Sequence, residues 1–75
     1  MEDLLVYLVR QLVDSPDDVR VVRSERDGAI LLQLHVAPDD VGKVIGRQGR
    51  MARALRTVIR AGGTGRRRVL LEIVE

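Results

Sequence analysis

The stretch Val44-Ile45-Gly46-Arg47-Gln48-Gly49 places two glycines three residues apart, between two short helical patterns. Glycine lets the backbone run close to a ligand, because it carries no Cβ and adopts positive φ readily. The helix predicted after this turn directs its free N–H groups and the positive end of its dipole toward the turn. A turn of this kind favours the binding of phosphate groups.

The segment around this turn is basic and contains no Asp or Glu between Val41 and Leu71. Its nine basic residues are Lys43, Arg47, Arg50, Arg53, Arg56, Arg60, Arg66, Arg67 and Arg68. Residues 1–40, in contrast, hold nine acidic residues against four arginines. One basic third in a nearly balanced chain produces a directed positive field, which suits an anionic partner. The alternative is that the segregated charge only keeps a small protein in solution.

Length and composition predict one small domain over residues 1–75 with an aliphatic core. Tyr7 is the only aromatic residue, so an aromatic platform for stacking bases cannot be built. The absence of cysteine excludes disulfides, thiolate nucleophiles and cysteine metal sites. Met1-Glu2-Asp3 lacks the basic start of a signal peptide, and no apolar run is long enough to span a bilayer. We therefore expect a soluble cytoplasmic protein without a membrane partner.

The first half of the chain predicts one helix and a hairpin. Apolar residues at three- and four-residue spacing predict a helix over Glu2–Val13, and the Ser15-Pro16-Asp17 stretch ends it. The residues of Val19–Arg23 and Ile30–Val36 are typical of strands, and Asp27-Gly28 between them is a two-residue hairpin signal.

The second half predicts two helices and a strand. Pro38 and the two aspartates that follow it predict the start of a short helix, which Gly46 ends. A longer helix is predicted over 50–61, followed by a glycine-rich cap over 62–65 and a strand over 69–74. At 100° per residue, the longer helix has one apolar arc and one arginine-rich side. The predicted arc consists of Met51, Ala54, Leu55, Val58 and Ile59, and the opposite side carries Arg53, Arg56 and Arg60.

These elements follow the order α-β-β-α-α-β. The hairpin pairs two strands antiparallel, and the helical crossover allows the second and third strands to run parallel. The predicted fold class is therefore α+β, a three-stranded mixed sheet with three helices on one face.

The GxxG turn has a context that favours a phosphate site over a simple structural corner between two helices. Apolar Val44-Ile45 precede the loop, a basic amphipathic helix follows it, and Arg47 and Gln48 inside it are not acidic. Carboxylates at those two positions would repel a phosphate. The alternative remains a helix–turn–helix corner that needs glycine only for its geometry.

The stretch from Ala29 to Val74 resembles a KH domain, most specifically at Asp40–Arg50. The preceding helix and strand match the type II order, and the chain is similar to the small stand-alone bacterial KH proteins of the KhpA family. The resemblance implies a single type II KH domain that binds single-stranded RNA along a narrow apolar groove. It further implies phosphate contacts from Gly46, Arg47, Gln48 and Gly49, with Ile45 and Ala52 under the bases.

The basic side chains differ in how directly they are expected to contact RNA. Arg47 and Arg50 lie in or beside the loop and are the best candidates for phosphate pairing, and Lys43 lies one turn earlier. Arg53 is included as a candidate, although it, Arg56 and Arg60 would look the same on any solvated helix face. The run of Arg66 to Arg68 either flanks the groove or caps the end of a strand.

No catalytic or metal-binding constellation is visible. His35 is the only histidine, and no other residue is spaced to complete a metal site with it. We therefore expect a protein that is not an enzyme and has no cofactor or metal. The family resemblance implies an RNA chaperone or post-transcriptional regulator.

The resemblance also implies pairing with a second KH-containing protein or self-association. The exposed sheet face is a candidate interface, with Val22, Leu31 and Leu70 as its apolar residues. Two alternative functions remain open from the sequence: a protein–protein adaptor that uses the KH fold as a scaffold, and a single-stranded DNA binder.

Overall fold

The computed structural model describes residues 2–61 and 68–75. Its helices and strands are α1 (Glu2–Arg10), β1 (Arg20–Arg26), β2 (Ala29–His35), α2 (Val41–Ile45), α3 (Arg50–Ala61) and β3 (Val69–Ile73). One-turn 3₁₀ helices lie at Pro16–Asp18, Pro38–Asp40 and Arg47–Gly49. The order α-β-β-α-α-β is confirmed. Residue 1 and residues 62–67, which include the predicted glycine-rich cap and Arg66 and Arg67, lie outside the described residues.

The first helix is shorter than its sequence pattern predicts. It ends at Arg10, and the N–H groups of Gln11 and Leu12 donate to carbonyls three residues back at 3.2 and 2.9 Å. These bonds tighten the chain out of α-helical geometry before it reaches the proline. The helix is still anchored by one side, since Leu5 and Val9 are fully buried.

The hairpin has the predicted two-residue turn. Asp27 and Gly28 both have positive φ, 53° and 80°, as a type I′ turn requires, and Arg26 pairs with Ala29 across it. β1 runs antiparallel to β2, β3 runs parallel to β2, and the strand order is β1-β2-β3. The mixed sheet is therefore as predicted, with β2 in the middle.

The hydrophobic core lies between the three helices and one face of the sheet. Its fully or nearly buried members are Leu5, Val9, Ile30, Leu32, Leu34, Val44, Leu55, Ile59, Val69 and Leu71. Each such side chain contributes roughly 1.5–3 kcal/mol when it leaves water. The other face of the sheet has no helix among the described residues, and it leaves Val22 and Leu70 exposed.

Helix α3 has the predicted length, but its buried side differs from the prediction. Ala52, Leu55 and Ile59 are buried, whereas Ala54 and Val58 of the predicted arc are exposed. Alanine is so weakly apolar that the helix pattern alone does not tell which alanine faces inward, and packing against the core decides it. The rotation has a consequence for Arg56. It follows Ala52 by four residues and so shares the side of the helix that borders the core.

Within 2–61 and 68–75, none of the helices is both long enough and apolar enough to cross a bilayer.

Candidate nucleic-acid interface

The GxxG loop has a backbone that only glycine adopts easily at two of its positions. Helix α2 ends at Gly46, whose N–H donates to the carbonyl of Gly42 at 2.9 Å. Gly46 has φ 75° and ψ 174°, a region that is essentially restricted to glycine. Gly49 has φ 74°, and its N–H donates to the carbonyl of Gly46 at 3.2 Å. The loop is thus a closed turn with a defined shape.

The two residues between the glycines point into open surroundings. Arg47 and Gln48 are both exposed. Gln48 has φ 58° and ψ 26°, the left-handed conformation that a residue with a Cβ adopts at a penalty of roughly 1–2 kcal/mol. A non-glycine residue held in such a conformation is more frequent at binding sites than elsewhere.

The described cations of the basic segment form few ion pairs with the described carboxylates. Among the residues that the structure describes, Lys43 is the only one of its cations within 4.0 Å of a carboxylate. The others are exposed: Arg47, Arg50, Arg53, Arg56, Arg60 and Arg68. Their charges are available to an anionic ligand.

A groove with a volume of about 780 Å³ lies beside the loop. Ile45, Gly49 and Ala52 line it from the helices, and Leu71 lines it from β3. The structure therefore brings together two predicted base contacts and one glycine of the predicted phosphate loop. Arg47, Gln48, Arg50 and Arg53 do not line this groove; they occupy the exposed loop and the outer surface of α3.

In the part of the chain that the structure describes, no strand pairs with the outer edge of β3, which borders the groove. Just before β3 the carbonyl of Arg68 accepts the N–H of Ile30 at 2.8 Å, and just after it the N–H of Val74 donates to the carbonyl of Leu34 at 2.9 Å. Because the bonding direction alternates along a strand, the backbone groups of Leu71 point away from β2 and toward the groove. The side chain of Arg56 reaches this edge, and its Nε–H donates to the Leu71 carbonyl at 3.4 Å.

Charge changes along the groove. Arg26 and Arg68 line it near the start of β3, with Asp27 of the hairpin beside them. Glu72 and Glu75 line it near the end of the strand. A phosphate chain is therefore favoured along the loop and the start of β3, and it is repelled at the far end.

Lys43 occupies a different position from the other cations. Its ammonium group donates to the carboxylate of Asp14 and lies 3.6 Å from that of Asp40. The hydrogen bond to Asp14 is the largest effect on the pKa of Lys43, which is raised above its ordinary value. The predicted phosphate contact of Lys43 would have to compete with both carboxylates.

Asp40 is the only charged residue buried among those described, with 1% of its surface exposed. Its carboxylate accepts the backbone N–H groups of Asp14 at 3.2 Å and Ser15 at 3.0 Å. Burial acts to raise the pKa of Asp40, but these two hydrogen bonds and the nearby Lys43 outweigh it, and the pKa is lowered. Asp40 thus holds the turn after α1 against the helix that precedes the loop.

The sequence pattern did not predict that Arg56 reaches the Leu71 carbonyl or that Asp40 accepts the N–H groups of Asp14 and Ser15. The four-residue spacing from Ala52 to Arg56 was a usable signal, once Ala52 was placed at the groove. For Asp40 the sequence shows only an acidic helix start, since its partners lie 25 and 26 residues away.

Comparison with protein families decides the identity of this fold. The family model described as "KhpA/KhpB, KH domain" matches residues 2–73. The chain belongs to the KhpA/KhpB KH-domain family. The α+β architecture with three helices on a three-stranded mixed sheet agrees with this assignment.

Several curated relatives are similar over most of this KH domain. The RNA-binding protein KhpA of Bacillus subtilis is 56% identical over 84% of this chain and 78% of its own. The protein of the same name from Treponema pallidum is 49% identical, over 99% of this chain and 94% of its own. That from Streptomyces coelicolor is 53% identical, over 100% and 92%. No solved structure gave a significant match.

Proposed function

We propose that this KH domain is a non-catalytic, single-stranded RNA-binding protein that holds the strand at its GxxG loop and along the adjoining groove. One observation carries the proposal: Ile45, Gly49 and Ala52 line a single groove next to Arg47 and Arg50, which are exposed and have no described carboxylate within 4.0 Å. Relatives of 42–56% identity carry the name RNA-binding protein, which supports it.

Different residues around the loop contact the phosphates and the bases of the RNA. The side chains of Arg47 and Arg50 contact phosphates, Gln48 adds a neutral donor, and Gly46 and Gly49 let the strand approach the loop backbone closely. Ile45 and Ala52 form an apolar floor under the bases. Arg53 contributes charge from the outer side of α3. Lys43 contributes less, because it is already paired with Asp14 and Asp40.

The biological role we propose is that of an RNA chaperone or post-transcriptional regulator in a bacterial cytoplasm. A groove with aliphatic walls gains less from each base than an aromatic platform, for which stacking contributes roughly 1–3 kcal/mol per base. Binding is then of modest affinity and accepts many sequences. Such binding suits a protein that acts on many transcripts and needs neither a cofactor nor a metal.

We further propose that the protein pairs with a second KH-containing protein or with itself, because two weak sites in one assembly raise the effective concentration. Two of the exposed apolar surfaces among the described residues are the candidates tested first. The open sheet face presents Val22 and Leu70, which are 39% and 36% exposed, and α3 presents Val58, which is 40% exposed. Sedimentation equilibrium of Leu70→Glu and Val58→Glu variants would identify the interface. Two variants that sediment like the wild type at every concentration would exclude both surfaces.

The test of RNA binding compares two variants with identical changes in charge. The dipeptide Arg-Gln occurs at 47–48 in the loop and again at 10–11 at the end of α1, exposed in both places. Arg47→Asp with Gln48→Asp places carboxylates in the loop, and Arg10→Asp with Gln11→Asp is the matched control. Fluorescence anisotropy with a mixed-sequence single-stranded RNA, at several salt concentrations, measures the affinity of each.

We expect the loop variant to lose binding and the control to retain most of it. For the wild type, the log–log salt slope should be about −0.7 for each phosphate contact. Equal binding by both variants would show that the loop is a turn between two helices without a role in RNA binding. No binding by the wild type would favour the adaptor function. DNA of the same sequence, bound as tightly as RNA, would favour the DNA-binding alternative.

A further inference from the structure

Arg56 lines the groove but is not among the residues proposed to contact phosphates at the GxxG loop. It lines the groove together with Gly49 and Ala52, and its side chain is exposed. Within the described part of the chain, no carboxylate lies within 4.0 Å of it. Its charge is therefore not used to hold the fold.

A hydrogen bond orients the guanidinium group of Arg56 over the middle of the β3 edge that borders the groove. Its Nε–H donates to the carbonyl of Leu71 at 3.4 Å, and Leu71 itself lines the groove. A guanidinium carries five N–H donors in a planar fork, so four of them remain on the two Nη atoms. The Leu71 carbonyl is therefore already hydrogen-bonded, and the Nη–H groups of Arg56 are the donors available to a base at this point.

Planar paired donors distinguish the four bases by their edges. Guanine presents two adjacent acceptors, O6 and N7, which match a guanidinium bidentately. Cytosine presents the adjacent acceptors O2 and N3 on its Watson–Crick edge, which is accessible in a single strand. Adenine places an amino donor beside its N7 acceptor. In uracil an N–H donor separates the two carbonyl groups.

We propose that Arg56 is a specificity-determining residue of the groove and selects a base with two adjacent acceptors, guanine or cytosine, over adenine and uracil. The proposal rests on the RNA-binding function proposed above. It adds a base preference at one position to a site whose other contacts are to phosphates and apolar base faces.

An arginine that contacted only a phosphate would raise affinity for every sequence alike. The two roles separate in the variant Arg56→Lys. Lysine keeps the positive charge but lacks the planar fork, so it replaces a phosphate contact and does not replace a bidentate base contact. Arg60→Lys is the matched control, because Arg60 is also an exposed arginine, one turn further along α3, with no described carboxylate within 4.0 Å.

The experiment uses four short oligouridine RNAs that differ only at a central position, which is A, C, G or U. Affinities are measured by fluorescence anisotropy at several salt concentrations for the wild type and both lysine variants, and the four RNAs are compared at the same salt. We expect the wild type to bind the RNA with central G or C at least about fivefold more tightly than the others, the lower end of bidentate discrimination. Arg56→Lys should lose this difference with an unchanged salt slope, and Arg60→Lys should keep it.

The possible results separate the two proposals. If the wild type binds all four RNAs equally, the base preference is overturned while RNA binding stands. If Arg56→Lys folds and keeps the preference, another group reads the base and the proposal also fails. If the wild type binds none of the RNAs, the RNA-binding function itself fails.

The wild-type comparison still tests the base preference if Arg56→Lys does not fold, because equal binding of all four RNAs overturns the proposal without any variant. Where guanine is preferred, 7-deazaguanosine removes N7 and should abolish the preference. If the preference survives, a bidentate contact to O6 and N7 is excluded. A preference for cytosine instead assigns the contact to O2 and N3.

Discussion

A Cβ atom placed on Gly46 would lie 2.7 Å from the Cβ of Met51 and 2.8 Å from its backbone nitrogen. The first turn of α3 therefore rests directly on the backbone of the loop. No such contact exists at Gly49, where a Cβ would meet nothing within 4 Å. The two glycines of the loop thus have different physical roles: Gly46 permits a close approach of backbones, and Gly49 only supplies a positive φ.

The different roles predict different effects of alanine at the two positions. Gly46→Ala combines a forbidden φ/ψ region with a backbone clash, so it should lower the free energy of unfolding by at least about 2 kcal/mol. Gly49→Ala meets only the left-handed penalty of roughly 1–2 kcal/mol. Urea denaturation of both variants measures the difference.

Gly42→Ala is the control, because Gly42 lies inside a helix with open space around it. It should stabilise by roughly 0.5–1 kcal/mol. Equal effects at 46 and 49 would contradict the close contact with Met51.

The orientation of α3 predicts opposite outcomes for two adjacent residues. Ile59 is 1% exposed and Val58 is 40% exposed. Ile59→Ala should lower the free energy of unfolding by about 2–5 kcal/mol, because it leaves a cavity in the core. Val58→Ala should change it by no more than about 0.5 kcal/mol, as is usual for surface positions. Denaturation midpoints measured at one protein concentration test this. Comparable losses of unfolding free energy for both variants would indicate that Val58 is buried, as the sequence pattern predicts.

The buried carboxylate of Asp40 predicts a pH-dependent contribution to stability. Its pKa is lowered in the folded protein, so its contribution is present above the unfolded value of about 4 and is lost as the pH falls through the folded value. Asp40→Asn should therefore be less stable than the wild type at pH 7, and the difference should shrink below about pH 4. Thermal denaturation of both proteins across this range checks the prediction. A difference that stays constant with pH would show that the charge of Asp40 is not responsible.

The ion pairs of Lys43 predict that it contributes less to RNA binding than an arginine of the loop. Arg47→Gln removes an exposed cation that has no described carboxylate within 4.0 Å, and it should make the log–log salt slope less negative by about 0.7. Lys43→Gln should change the slope by less, because its ammonium is already neutralised by Asp14 and Asp40. It should instead lower the thermal midpoint, since it removes both contacts. Equal changes in slope would mean that RNA displaces the two carboxylates.

The secondary structure was largely predictable because its signals are local. The turn at Asp27-Gly28 follows from two residues that tolerate positive φ, and the long helix after the loop has the predicted bounds Arg50–Ala61. The end of α1 was less predictable. The chain tightens into 3₁₀-type bonds after Arg10, whereas the apolar spacing continues to Leu12. Such fraying depends on the competition between local bonds and the packing of the next segment.

The sequence alone determined the α+β order, the pairing of the hairpin and the position of the GxxG turn within a basic segment that contains no Asp or Glu. Each depends on residues close together in the chain, where backbone preferences and charge are readable. Tertiary structure alone decided which side of α3 is buried, and so placed Arg56 at the Leu71 carbonyl and exposed Val58. It also decided that Asp40 accepts N–H groups from a turn 25 and 26 residues earlier. These contacts join residues distant in sequence, and the close packing of the whole core selects among helix rotations that the sequence pattern leaves nearly equivalent.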